Sequence, residues 1–276
     1  MYCYPAAADS ADDKKELTVT YNQVEFDKAG KMIKSQRLTA LELKMEAQAR
    51  DTAGGEPFQC VKAFGPGELR IWQAGDRDPS GPAPDANKPG SPAPLPTAGQ
   101  PLPPVPPGAK PAPAGPDEQE MKLTVVTFSG RMTAIDKAKV FQKATFEDNV
   151  TAISVPADSP NVGVERYRLP PRALLLTSNK ELVVWTHKKG TAPPVQHMDA
   201  KGNAYLRSDE YDGWGETISH DGKLVTLTGS EAIPARIMNR FNAGNDRSGK
   251  QIKYDRADGS YRVLESFGGS VGAGKK

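Results

Sequence analysis

Apolar and polar residues alternate one for one along much of this 276-residue chain, the period of strands with one buried face. The sharpest test is Ala40–Ala49, a stretch built from strong helix formers. Its apolar residues Leu41, Leu43, Met45, Ala47 and Ala49 alternate with Glu42, Lys44, Glu46, Gln48 and Arg50. A helix would scatter those charges around its circumference, whereas a strand gathers them on one face. The pattern therefore predicts a strand against the propensities. The same alternation runs through Leu17, Val19 and Tyr21, through Val24 and Phe26, and through Leu123 and Val125. It returns in Ala204 and Leu206, Val225 and Leu227, Ile252 and Tyr254, and Tyr261 and Val263. Turn signals separate the runs: Lys28–Gly30, Asp199–Asn203, Asp221–Gly222 and Asp258–Gly259. Asp-Gly tolerates the positive φ that tight hairpins need. Only Ala134–Lys143 also admits a short helix.

One hairpin pattern recurs. Val24–Ile33 lines up with Ile252–Tyr261, each an apolar-charged-aromatic-Asp approach to a turn followed by a second strand. Ile218–Gly229 is a shorter variant. No repeat of regular blade length emerges, which argues for a sandwich or jelly roll and against a propeller. The expected fold is all-β: a curved β-jelly roll, or twisted antiparallel sandwich, of stacked hairpins.

Composition interrupts this picture once. Pro79–Pro116 holds 15 of the 25 prolines and almost no large apolar residue, too little to offset the entropy of ordering it. It reads as an extended or disordered tether. Its Pro101–Pro104 and Pro104–Pro107 stretches resemble PxxP ligands, a pattern that also arises readily in Pro/Ala-rich spacers. The expected organisation is a disordered 1–14, a β region over 15–78, the linker over 79–118, a β-jelly roll over 119–268 and a Gly-rich disordered tail over 269–276. A core from 15–78 alone would be marginal, so one shared fold is expected across the linker.

Charge excludes more than it suggests. Lys and Arg number 36 against 34 Asp and Glu, so no strong field draws the chain to nucleic acid, and no nucleic-acid partner is expected. The absence of any long apolar run excludes a membrane-spanning helix. Cys3 and Cys60 form neither a disulfide framework nor a zinc spacing. The segment Met1–Ala8 lacks the basic and apolar regions of a signal peptide. The chain reads as cytoplasmic, or as a processed or truncated form of an exported protein.

Three stretches carry a family resemblance. Ala200–Leu206, Ile218–Gly229 and the Gly249–Asp255 and Asp258–Val263 pair resemble the OstA family of lipopolysaccharide-transport proteins. That family repeats a phrase close to A-x-G-N-V-x-V, an apolar-x-Y-D turn, then L-x-G. Phe146–Ala152 is similar to another such line, with Asp148 in place of the glycine. The likeness is best over residues 140–270 and weaker over 17–75. It implies a curved jelly roll whose apolar groove shields acyl chains in the periplasm or cell envelope. It further implies edge-strand stacking onto other envelope jelly-roll proteins, serving outer-membrane assembly. The chain departs from the family's small soluble members in lacking an export signal and in its proline tether.

The apolar rows offer candidates for such a groove: Leu174, Leu176, Val183, Trp185, Leu206, Val225, Leu227, Ile252 and Val263. The same residues would equally fill a dry core. Arg166, Arg168 and Arg172 are the one local concentration of positive charge and could grip a phosphate. No catalytic residues, cofactor or metal are assigned. Gly269–Lys276 nearly spells a P-loop, but ends in Lys276 where Ser or Thr must hold Mg²⁺. Gly268–Gly272 matches a nucleophile elbow, yet no acid or histidine follows it. His187, His197 and His220 lack metal-ligand spacing. The expected function is non-enzymatic binding or conveyance of lipopolysaccharide-like lipid. The alternatives are a β scaffold with a proline-rich tether, and a carbohydrate-binding domain using Tyr211 and Trp214.

Overall fold

The computed structural model describes residues 18–49, 58–74, 120–137, 141–187, 195–221, 224–241, 246–255, 260–264 and 273–274. Their regular structure is entirely antiparallel β, with no helix long and apolar enough to cross a membrane. β1 (Val19–Phe26) pairs with β2 (Met32–Ala40). From β2 onward the chain runs in long strands that each turn a corner near the middle. β2 passes Leu41 into β3 (Glu42–Ala49), and β4 (Phe58–Phe64) passes Gly65 and Pro66 into β5 (Gly67–Ala74). β6 (Met121–Phe128) passes Ser129 and Gly130 into β7 (Arg131–Lys137), and β8 (Phe141–Glu147) passes Asp148 and Asn149 into β9 (Val150–Pro156). β10 (Leu174–Ser178) passes Asn179 and Lys180 into β11 (Glu181–His187). β12 (Val195–Arg207) bends through a bulge between Lys201 and Ala204, and β13 (Tyr211–His220) returns beside it. β14 (Leu224–Thr228), β15 (Ala235–Asn239), β16 (Arg247–Gly249), β17 (Gln251–Asp255), β18 (Tyr261–Leu264) and β19 (Ala273–Gly274) complete the meander.

The pairings sort the strand halves into two layers. Layer I runs β1, β2, β5, β6, β9, β10, then the ends of β12 and β13 nearest their shared turn, then β15 and β16. Layer II runs β3, β4, β7, β8, β11, the other ends of β12 and β13, then β14, β17, β18 and β19. Because β12 and β13 belong to both, the layers are one sheet folded lengthwise, in keeping with a jelly-roll-type architecture. The fold line is itself hydrogen-bonded. Gly65 N donates to Gly130 O (2.6 Å), Ser129 N to Asp148 O (2.8 Å), Asp148 N to Lys180 O (2.8 Å) and Asn179 N to Gly202 O (2.7 Å). Asp148 (φ 64°), Asn149 (φ 48°), Gly202 (φ 87°) and Asn203 (φ 48°) occupy left-handed conformations there. Asn, Asp and Gly are the residues that tolerate such geometry.

Residues 42–49 of the Ala40–Ala49 run form β3 as their alternation requires, while Ala40 ends β2 and Leu41 lies at the corner between them. Ala134–Lys143 does not form a helix: Ala134–Lys137 lies in β7, Phe141–Lys143 lies in β8, and the two strands pair as a hairpin. Alternation with neighbours on both sides outweighs helix propensity. Residues 1–14, the linker over 79–118 and most of the 269–276 tail lie outside the described residues. Within that tail Ala273 and Gly274 pair with β18, where a structureless tail was expected. The linker joins adjacent strands, since β5 and β6 pair from Gly67↔Phe128 to Ala74↔Met121. β4 pairs with β7 as well, so strands from both sides of the linker share one sheet.

Three apolar clusters hold the fold. The largest lies between the layers and includes the fully buried Phe146, Leu176, Leu182, Ile218, Leu227 and Ile252. Each such side chain contributes about 1.5–3 kcal/mol through removal from water. A second covers the outer face of layer I, with Trp72, Leu123, Val125, Ile153 and Leu175 beneath the 157–173 connection. Trp72 Nε1 donates to Ala157 O (2.8 Å) and Arg70 Nη2 to Val162 O (2.5 Å), pinning that connection down. Phe58, Cys60 and Ile135 make a small third cluster on the outer face of layer II.

Candidate functional site: the apolar seam between the layers

Cross-strand register places apolar side chains in unbroken rows on the facing sides of the two layers. In layer II, Leu43, Ala63, Met132, Phe146 and Leu182 are successive partners, and the row goes on through Ala200, Ile218, Leu227, Ile252 and Val263. In layer I, Tyr21, Leu38, Leu69, Val126 and Ala152 are successive partners, followed by Leu176, Leu206, Gly213 and Ile237. At a strand spacing of about 4.8 Å, a row of ten strands runs about 43 Å. All of these side chains but Gly213 belong to the between-layer cluster or pack against it. No charged residue interrupts either row.

The layers meet along this seam. A Cβ at Gly213 of layer I would lie 2.7 Å from Leu227 Cδ2 of layer II, so only glycine accommodates that approach without movement. Tyr211 of β13 packs on Tyr254 of β17 with ring centroids 4.8 Å apart. Phe128 and Phe146 meet across the corner at 5.8 Å. At the β1/β3 end the seam is less covered. Met45 shares the inner face with Val61, its partner on β4, and remains 43% exposed. Neither β1 nor β3 has a second neighbour among the described strands.

Of the sequence-derived lipid candidates, Leu176, Leu206, Val225, Leu227, Ile252 and Val263 belong to or pack against this cluster. Leu174 shares their face of β10, two residues from Leu176. Val183 and Trp185 do not join them. They alternate with Leu182 and Val184, so they point to the outer face of layer II, where Trp185 stacks on His197 at 5.4 Å. The Leu182–Trp185 run is apolar on both sides, and composition alone could not tell which side was inner. Register also adds Tyr21, Leu43 and Met45 at the open end, residues whose alternation was visible but whose role depended on pairing.

The three arginines do not converge. All sit on the exposed 157–173 connection. Arg172 forms a two-pronged pair with Glu120, Nη1 to Oε1 (2.7 Å) and Nη2 to Oε2 (2.6 Å). Arg168 faces Glu165 at 3.9 Å, and Arg166 lies over the Tyr167 ring. The carbohydrate alternative loses its pairing too: Tyr211 is buried in the seam, while Trp214 lies on the opposite face against Tyr205 and Arg236. On that outer face Asp212, 4% exposed, accepts from Tyr205 Oη (2.8 Å) and Arg207 Nε (3.0 Å). Burial, then the hydrogen bond to Asp212, raises the Tyr205 phenol above its ordinary pKa. Among the described residues no cluster of His, Cys, Asp and Glu could hold a metal ion. Comparison with family models, with curated proteins and with solved structures finds no match to this chain.

Proposed function

We propose that the protein binds and conveys an acylated lipid of the lipopolysaccharide class in the seam between its layers, without catalysing a reaction. The observation that carries this reading is the pair of uninterrupted apolar rows facing each other along the folded sheet. Seam side chains such as Leu227 and Ile252 are closed off from water. Parting the layers around an acyl chain exchanges side-chain contacts for lipid contacts and exposes little net apolar surface. The more open β1/β3 end, with Met45 and Tyr21, is the entrance. The outer edges of β1 and β3, which have no second neighbour among the described strands, suit edge addition of another β protein, which would lengthen the seam. On this reading the protein works in the cell envelope, and its partners are the lipid and other envelope jelly rolls.

The test is photo-crosslinking to lipopolysaccharide from probes at positions 176 and 227, with probes at 183 and 185 as outward-facing controls on the same fold. Saturable crosslinking confined to the two inner positions, and lost with deacylated lipopolysaccharide, is expected. Equal labelling of inner and outer positions, or none from a folded sample, overturns the reading.

A further inference from the structure

The outer face of layer I holds a feature the lipid reading does not use. Arg37 of β2 and Arg70 of β5 are direct cross-strand partners. Like charges placed opposite each other on a sheet repel. Their compensation is incomplete. Arg70 Nη1 reaches Glu68 only at 3.5 Å, and its Nη2 serves the carbonyls of Pro160 and Val162. Arg70 Nε is buried and has no hydrogen-bond partner. Arg37 makes no hydrogen bond or ion pair with the described residues. Asn22, the partner of Arg37 on β1, continues the same row.

These groups line a pocket of about 100 Å³, with Ser35 and Asn161 as further polar walls and Trp72 and Leu123 as apolar ones. Two guanidiniums, two amides and a hydroxyl thus surround a space of small-anion size, with one carboxylate against two positive charges. Guanidinium matches oxyanions because its planar fork donates two parallel hydrogen bonds. We infer that this pocket binds a phosphate-class oxyanion between Arg37 and Arg70, satisfying the unpartnered guanidinium nitrogen and relieving the repulsion across β2 and β5. The anion would also tie the 157–173 connection to layer I, because Arg70 of β5 donates to Pro160 and Val162 of that connection and Asn161 of the connection lines the same pocket. This site lies on the outer face and does not depend on the seam.

Calorimetric titration of the full chain with inorganic phosphate tests it. One saturable site is expected, weakened about tenfold or more in Arg37→Gln, the loss typical of one charge-assisted hydrogen bond. Arg37 is exposed, so that change leaves the core intact. Lys62→Gln removes the same charge from layer II and is expected to leave the affinity within about twofold. A parallel arm uses phosphatidic-acid vesicles. Arg37-dependent binding to vesicles but not to free phosphate assigns a lipid headgroup, and the reverse assigns a soluble phosphate. Absence of saturable binding to either probe at millimolar phosphate, or equal affinity in Arg37→Gln, overturns the proposal.

Discussion

Excising residues 79–116 is expected to stabilise the protein, because Ala74 and Met121 are already partners on adjacent strands. The connection between them, residues 75–120, is about 46 residues long. Removing 79–116 leaves about eight, including Glu120, the partner of Arg172. On the sequence-level reading of the tract as a tether, the change acts only through the entropy of closing the β5–β6 connection. With a closure cost of (3/2)RT ln n, shortening from about 46 to about 8 residues favours the native state by about 1.5 kcal/mol. For a sheet of this size that raises the melting temperature by about 3–6 °C. Urea and thermal unfolding of the full and shortened chains measure it, and the slope with urea should barely change. A fall in stability, or loss of a single cooperative transition, would refute the reasoning. Either would mean that the tract contributes contacts of its own or that the two β regions fold separately.

Truncating Leu227 to Ala in the seam, where the side chain is 1% exposed, should cost about 2–5 kcal/mol in urea unfolding, since its cavity opens against Gly213. Gly202→Ala should cost about 1–2 kcal/mol: φ is 87°, and the new methyl would meet Lys180 Cγ at 2.6 Å. Asn149→Gly, at φ 48°, should change stability by no more than a few tenths of a kcal/mol. Tyr205 predicts a dependence on pH. Its native pKa lies above its unfolded one, so its stabilising contribution is complete below the ordinary phenol range and is lost as pH climbs through the native value. Stability should fall from about pH 10 upward. Tyr205→Phe should flatten that fall and cost about 2 kcal/mol at neutral pH, through the lost bond to Asp212. An unchanged alkaline slope in the variant would rule out Tyr205 as its source.

Much of the fold was legible because alternation reports burial directly. Leu43, Met45 and their charged neighbours made β3 predictable despite their helix propensity. The repeated Asp-turn pattern did mark hairpins. Asp27 Oδ1 accepts from Ala29 N and Lys31 N (2.8 Å each), and Asp221 Oδ1 from Leu224 N (2.8 Å). What stayed hidden was coverage. Leu174–Leu176 is apolar at every position because the 157–173 connection buries the outer face of layer I, and Leu175 faces that side. No local signal in β10 announces a loop arriving from its own N-terminal side. The Arg37–Arg70 pairing was invisible for a related reason, since the two residues are 33 positions apart and only register brings them together.

The corners escaped notice for a sharper reason, and it yields a last prediction. Except from Ala40 to Leu43 and from Gly213 to Ile218, inner-face residues on either side of a corner are separated by an even number of positions, as in Phe146 and Val150, Leu176 and Leu182, and Ala200 and Ala204. The alternation therefore passes straight through the fold line, and two half-strands read as one long strand. Among the described corners, positive φ marks the bend at the Asp148-Asn149 and Gly202-Asn203 pairs. If parity through the corner holds the layers in register, deleting Asn149 alone must invert β9. Val150 and Ala152 would turn outward, and Thr151 and Ile153 would turn toward the seam. Val150 is 1% exposed and Ile153 6%, so both faces would be repacked and a hydroxyl buried. Deleting Asp148 and Asn149 together keeps the parity and forfeits only the corner bonds, such as Ser129 N to Asp148 O and Asp148 N to Lys180 O. The single deletion should abolish cooperative folding, while the double deletion should lose about 2–4 kcal/mol, the sum of a few orphaned hydrogen bonds. Urea unfolding followed by tryptophan fluorescence orders the two. A single deletion as stable as the double would show that the corner, and not the alternation running through it, sets which side chains enter the seam.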